Sequence, residues 1–323
     1  MNQVLSKLID CFGIYKKNKL KSPVSQFDMN IPSASDSSSI SPLLLDDRVP
    51  NMELTMLSAA ASYEVGTFRF RSRIQDNGES NCFCSGEYYR NNSDSKTDVV
   101  IVHGWKSSSL KSVKEMLLEP LMAKGYNLYF MELPYHLSRK PPESGFSGEY
   151  MISANVQRTI TSVQQAVMDA GDLVSWSKSN SHKTVVIGVS LGGLVTNLLG
   201  CVSTHIDALV SVMYASNLAQ LIWKSAVAKH IKQDFVNNRF SLDELDKAWS
   251  AINPSLLKAM VNRDKILLMS GKYDLFITKE DSDALCKAWG NPKQIILPCG
   301  HSGLNVCGKE IADDICRFLD TAI

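Results

Sequence analysis

The apolar positions change period along the chain, and that change divides it. Near the start, Val4, Leu5, Leu8, Ile9 and Phe12 recur at helical spacing, marking one face of a short helix. A basic stretch follows, Lys16-Lys17-Asn18-Lys19-Leu20-Lys21. After it, residues 33–47 are rich in Ser, Asp and Pro and read as a flexible linker. Residues 67–73 and 82–89 alternate in strand fashion and are expected to pair antiparallel. Val99-Val100-Ile101-Val102 is apolar without a break, as in a parallel strand covered on both faces. Further short apolar strands fall at 127–133, 184–189, 206–213, 265–269 and 294–297.

Helical stripes lie between these strands. Leu110, Val113, Leu117 and Leu121 form one, and Val156, Ile160, Val163, Val167 and Ala170 a second. Ile311, Ile315, Phe318 and Ala322 form the last. Strands alternating with helices predict an α/β fold: a mostly parallel sheet with helices on both faces. From about 217 to 262 the pattern is helical only. There Ser241-Leu242-Asp243-Glu244 has the form of a capping box opening a helix that runs through Ala248 and Trp249 and stops before Pro254. An insertion at that place covers the carboxyl ends of the strands, where ligands bind, so it reads as a helical cap.

Composition narrows the partners. With 34 basic against 33 acidic residues there is no basic excess to suit a nucleic acid. No apolar run approaches the roughly 18 residues that cross a bilayer. Lys7 and Asp10 interrupt the N-terminal apolar stretch and no small-residue cleavage site follows, so a cytoplasmic setting is expected. The basic amphipathic segment could lie on a membrane surface; the reading adopted is a helix packed on its own domain. Eight cysteines show no framework spacing, and neither Cys-x-x-Cys nor His-x-x-x-His occurs. The thiols therefore read as small hydrophobes, and neither metal nor cofactor is expected.

The chemistry centres on Gly188-Val189-Ser190-Leu191-Gly192. The string is weak alone, but here it follows an apolar strand and opens an apolar segment, 191–201, that suits a buried helix. That is the strand–turn–helix setting of a nucleophile elbow. The glycines allow strand and helix to approach closely around a strained serine. A serine hydroxyl needs an adjacent base. His301, in Leu297-Pro298-Cys299-Gly300-His301, directly follows the last strand, whereas His205 precedes its strand and would lie at the wrong end. Asp274 stands in the loop after the 265–269 strand and is placed to orient His301. The rival acid position, after the 206–213 strand, holds Asn217. An oxyanion hole is expected from the Leu191 N–H and from the loop His103-Gly104-Trp105, with Gly104 admitting the substrate and Trp105 donating. His103 reads as shaping that loop. The segment from His136 borders the site in this reading, so His136, Arg139 and Lys140 are candidate contacts to an anionic substrate group.

Together these motifs resemble the α/β-hydrolase superfamily over about residues 66–323, in the order His103-Gly104, Gly188 to Gly192, Gly271 to Asp274, Gly300-His301. Leu133-Pro134-Tyr135-His136 followed by Arg139-Lys140-Pro141-Pro142 looks like a group of uncharacterised bacterial hydrolases within it. The resemblance implies a hydrolase domain at 61–323 preceded by an N-terminal extension, 1–60. The expected reaction is cleavage of a carboxylic ester or thioester through an acyl-serine. The alternatives are an acyltransferase or carrier-protein thioesterase using the same three residues, or a non-catalytic binding module. The expected partner is a small acyl substrate, free or carrier-bound.

Overall fold

The computed structural model describes residues 1–29, 46, 48–60, 62–75, 78–93, 95–180 and 182–323. The linker expected at 33–47 lies outside them except for Asp46.

The chain opens with α1 (Gln3–Lys19). Three antiparallel strands follow: β1 (Glu53–Ala59), β2 (Tyr63–Arg71) and β3 (Phe83–Asn91). Then come β4 (Thr97–Val102), α2 (Lys111–Ala123), β5 (Asn127–Met131), α3 (Val156–Ser179), β6 (Lys183–Val189), α4 (Leu191–Val202) and β7 (Ala208–Val212). The chain continues through α5 (Leu218–Lys224), α6 (Lys229–Asn237), α7 (Leu242–Ala248), β8 (Ile266–Gly271), α8 (Lys279–Ala288), β9 (Lys293–Leu297) and α9 (Leu304–Ala322). The strands form one sheet in the order β1-β2-β3-β5-β4-β6-β7-β8-β9. From β5 through β9 every pairing is parallel.

Alternation along the central strands creates two cores. Val99 and Ile101 of β4 and Val185 and Ile187 of β6 point to one face, packed by Val113, Leu117 and Leu121 of α2 and Ile311 and Ile315 of α9. Val100, Val102 and Val186 point to the other, against Ile160, Val163 and Val167 of α3 and Leu194 and Leu198 of α4. Strands buried on both faces have no polar side to show, which is why their sequences run apolar without a break. The predicted α/β fold class is the one observed.

The segment 217–262 folds as three short helices, and the capping box is present, with Ser241 Oγ accepting the Glu244 N–H and the Glu244 carboxylate accepting the Ser241 N–H. Trp249 anchors the segment by donating its indole N–H to the Val156 carbonyl at 3.2 Å. All eight cysteines are free thiols, and five of them are buried.

Two features of residues 1–60 depart from the sequence reading. Residues 53–59 are not part of an extension: they form β1, an edge strand paired along β2. Most of β1 is exposed on both faces, so its sequence carries no alternation. Helix α1 rests on the domain with the opposite face from the one its pattern suggests. Val4, Leu5, Leu8 and Phe12 point outward, while Ser6 and Asp10 are buried.

Candidate active site

Parallel strands end on the same side of a sheet, so loops far apart in sequence meet there. Ser190 follows β6, Asp274 follows β8 and His301 follows β9, three strands separated only by β7. The Ser190 backbone sits at φ 57 and ψ −116, a conformation few L-residues adopt. It persists because both flanking glycines make room. A Cβ on Gly188 would lie 2.2 Å from the Gly192 carbonyl oxygen, and one on Gly192 would lie 2.1 Å from the Val102 carbonyl oxygen. No side chain fits at either position. The turn lifts the hydroxyl above the sheet edge.

His301 Nε2 lies 2.9 Å from Ser190 Oγ, and His301 Nδ1 lies 2.8 Å from Asp274 Oδ2. With Nδ1 donating to the carboxylate, Nε2 is left as the acceptor for the serine hydroxyl. The second carboxylate oxygen, Oδ1, accepts the Phe276 and Ile277 N–H groups at 2.7 and 2.9 Å. Phe276 stacks on the imidazole with ring centroids 4.5 Å apart, fixing its plane. All three predicted residues meet.

Beside them, Gly104, Trp105 and Leu191 line the same cavity as Ser190 and His301. Leu191 is the first residue of α4, where a helix has no internal acceptor for its N–H. The cavity holds about 450 Å³ and its walls are mainly apolar, from Ile152, Leu218, Leu221, Val227 and Phe276. Leu218, Leu221 and Val227 belong to the 217–262 segment, which thus roofs the strand ends.

The loop between β4 and α2 is held from behind by two buried histidines. His103 donates from Nδ1 to the Gly104 carbonyl at 2.9 Å and accepts the Leu133 N–H on Nε2 at 3.1 Å. Burial lowers its pKa to about 4, so the ring is neutral near pH 7. His136 donates to the Pro134 carbonyl at 2.8 Å and accepts the Lys106 N–H at 3.2 Å. Burial, reinforced by the neighbouring His103, pushes its pKa well below the usual histidine range.

That arrangement corrects the assignment of His136, Arg139 and Lys140 to substrate contact. None of them lines the cavity. Both His136 ring nitrogens are occupied by backbone partners. Arg139 is 1% exposed and pairs with Asp169 at 2.9 Å, a buried charge matched by a buried charge. Lys140 Nζ donates to the Ser144 carbonyl at 2.8 Å and closes its own loop.

The residues that sequence reasoning passed over lie on α1. Asp10 is fully buried, and its carboxylate accepts three backbone N–H groups: Leu275 and His301, each at 2.9 Å, and Ser302 at 2.7 Å. One side chain therefore ties the Asp274 loop to the His301 loop. Two turns on, Lys17 Nζ donates to the Trp105 and Lys106 carbonyls at 3.1 and 2.9 Å. Lys106 returns the contact, donating to the Lys17 and Leu20 carbonyls at 3.1 and 2.9 Å. Burial lowers the Lys17 pKa to about 8 and the Lys106 pKa to about 7. Helix α1 thus grips both sides of the site through polar contacts. A signal was present in the sequence: Asp10 interrupts an apolar helical stripe.

No protein-family model matches the sequence. The uncharacterised protein YdjC of Bacillus subtilis is 37% identical over 111 residues, 34% of this chain and 96% of its own length. An uncharacterised protein of Mycobacterium tuberculosis is 24% identical over 185 residues, 55% of this chain and 43% of its own. Among solved structures, an acetyl xylan esterase from a Paenibacillus species superposes with a TM-score of 0.66 at 12% identity, covering 96% of this chain and 99% of its own. Acetyl xylan esterase 1 from a Thermoanaerobacterium species gives 0.64 at 14% identity, covering 94% and 98%. At such identities the likeness is one of fold, and that fold is the α/β-hydrolase fold.

Proposed function

The chain belongs to the same family as YdjC of Bacillus subtilis, and we propose that it cleaves carboxylic esters through an acyl-Ser190 intermediate. The observation that carries the reading is the continuous relay from Asp274 through His301 to Ser190, with steps of 2.8 and 2.9 Å, at the wall of an apolar cavity. Solved esterases of the same fold support it at the level of reaction class.

In this mechanism Ser190 Oγ attacks the ester carbonyl carbon while His301 Nε2 takes the hydroxyl proton. The carbonyl π electrons move to oxygen, and the Leu191 and Trp105 N–H groups receive that developing charge. One such donor is worth about 10²–10³ in rate. Asp274 holds the Nδ1 proton and stabilises the imidazolium without taking the proton. His301 then protonates the leaving alcohol, the C–O bond breaks, and the acyl group stays on Ser190. Water, deprotonated by the same imidazole, attacks the acyl carbon and releases the acid.

The apolar walls suit an acyl chain of several methylenes better than an acetyl group, since each buried methylene adds about 0.8 kcal/mol. p-Nitrophenyl esters of graded chain length test this: turnover should favour butyrate to octanoate over acetate. Ser190→Ala should lower kcat by at least about 10⁴-fold with little change in thermal midpoint. Retention of wild-type turnover in that variant would refute the assignment.

A further inference from the structure

Helix α1 is amphipathic with its sides exchanged. The stripe turned to the protein is Ser6, Asp10, Gly13 and Lys17, and it is held by the hydrogen bonds to the His301 and Trp105 loops already described. The opposite stripe is Val4, Leu5, Leu8, Phe12 and Tyr15, exposed by 69, 48, 61, 57 and 58%. Successive members stand one, three or four residues apart, so they form one continuous apolar ridge. Scattered exposed hydrophobes are ordinary on a soluble surface, but five in register along one helix are not.

Charge indicates what covers the ridge. Lys7, Lys16, Lys19 and Lys21 are all exposed, and Asp10, the one acidic residue among the first 27, is buried. Lys16 Nζ lies 4.4 Å from the Phe12 ring centroid and Lys19 Nζ 4.6 Å from that of Tyr15. Their stems follow the apolar ridge and their ammonium groups sit at its margin. A helix seated at the boundary of a lipid layer needs that arrangement: apolar side chains below the headgroups, lysines level with the phosphates.

We propose that the outward face of α1 docks on an anionic lipid surface. Phe12 and Lys16 belong both to this face and to the lining of the Ser190 cavity, so docking sets the cavity mouth against the membrane. The proposal does not depend on the esterase reading, because partitioning needs no turnover.

The test uses the full chain with sedimented vesicles, either of phosphatidylcholine alone or with about one-third phosphatidylglycerol. Each lysine near an anionic surface adds about fivefold to partitioning, so wild type should favour the anionic vesicles at least about tenfold and be released by 0.5 M salt. The triple variant Val4→Ser/Leu5→Ser/Leu8→Ser removes ridge residues that do not line the cavity. It should keep the wild-type thermal midpoint and lose about tenfold or more in bound fraction. Lys7→Gln/Lys19→Gln should lower the preference for the anionic vesicles by about tenfold or more, and Ser190→Ala should bind like wild type. Equal partitioning of wild type and the triple variant overturns the proposal. So does a wild-type dimer in sedimentation velocity that the triple variant dissolves, which would assign the ridge to a second copy of the chain.

Discussion

The turn around Ser190 and helix α1 position different members of one three-residue relay, by opposite means: the turn places Ser190, and α1 holds the loops of Asp274 and His301. At the turn, position follows from backbone alone: a residue at φ 57 between two glycines that admit no Cβ, on strands whose order is fixed by the two cores. In α1, position follows from side chains reaching across hundreds of residues, with Asp10 on the amides of Leu275, His301 and Ser302. The first kind of control cannot vary without loss of the fold. The second can be weakened in steps, so a substrate site can be tuned through it while its scaffold stays intact.

The contrast can be broken from its rigid side. Gly192→Ala puts a methyl group 2.1 Å from the Val102 carbonyl oxygen, a backbone atom that cannot swing away. The expected outcome is loss of more than about 4 kcal/mol, seen as insoluble expression or a collapsed thermal midpoint. A soluble, active Gly192→Ala protein would mean that the turn tolerates far more relaxation than its geometry indicates.

On the adjustable side, Asp10→Ala leaves three backbone amides without an acceptor, of which the His301 N–H is buried and costs about 1–3 kcal/mol, and the partly buried Leu275 and Ser302 N–H groups cost less. Because two of them belong to the His301 loop, the expected result is a fall of about a hundredfold in kcat, a small change in KM, and a sheet that still melts cooperatively. Asp10→Asn keeps one acceptor oxygen and should recover part of the rate. If Asp10→Ala loses only stability, at unchanged kcat, then α1 supports the fold and does not position His301.

The smallest effect concerns acid. His103 has a folded pKa of about 4 against an ordinary value near 6.5, so the unfolded state binds more protons between those values. Its stabilising contribution is complete above pH 6.5 and disappears as pH falls toward 4, a total on the order of 3 kcal/mol. Denaturant midpoints measured from pH 7 to pH 4 should fall accordingly. His103→Asn should make that limb shallower, leaving the part that His136, also depressed by burial, contributes.

The same division explains what could be read from the sequence. Parallel strands buried on both faces announce themselves as apolar runs, and the elbow announces itself because local crowding demands glycine at fixed offsets. Asp274 and His301 followed from their places after strands. β1 did not show, because an edge strand exposed on both faces has no alternation. The face of α1 was misjudged because hydrophobic periodicity assumes that the apolar side is the buried one. Here three amides offer Asp10 a stronger anchor than the ridge could find. Arg139 reads as a substrate contact because its segment leaves the carboxyl end of a strand, and its true partner, Asp169, lies thirty positions later. Two buried acids within α3, Asp169 and Asp172, were the available signal: each required a cation, and they take Arg139 at 2.9 Å and Arg73 at 2.6 Å.

The measurement that bears most directly on the central claim is peptide mass spectrometry of the whole chain after brief exposure to a fluorophosphonate. A hydroxyl activated by His301 should carry the phosphonyl adduct on the peptide containing Ser190, in stoichiometric yield, and Asp274→Asn should slow its formation by about 10³-fold or more. An unmodified Ser190 peptide in correctly folded protein, or labelling that spares it for another residue, would contradict the account.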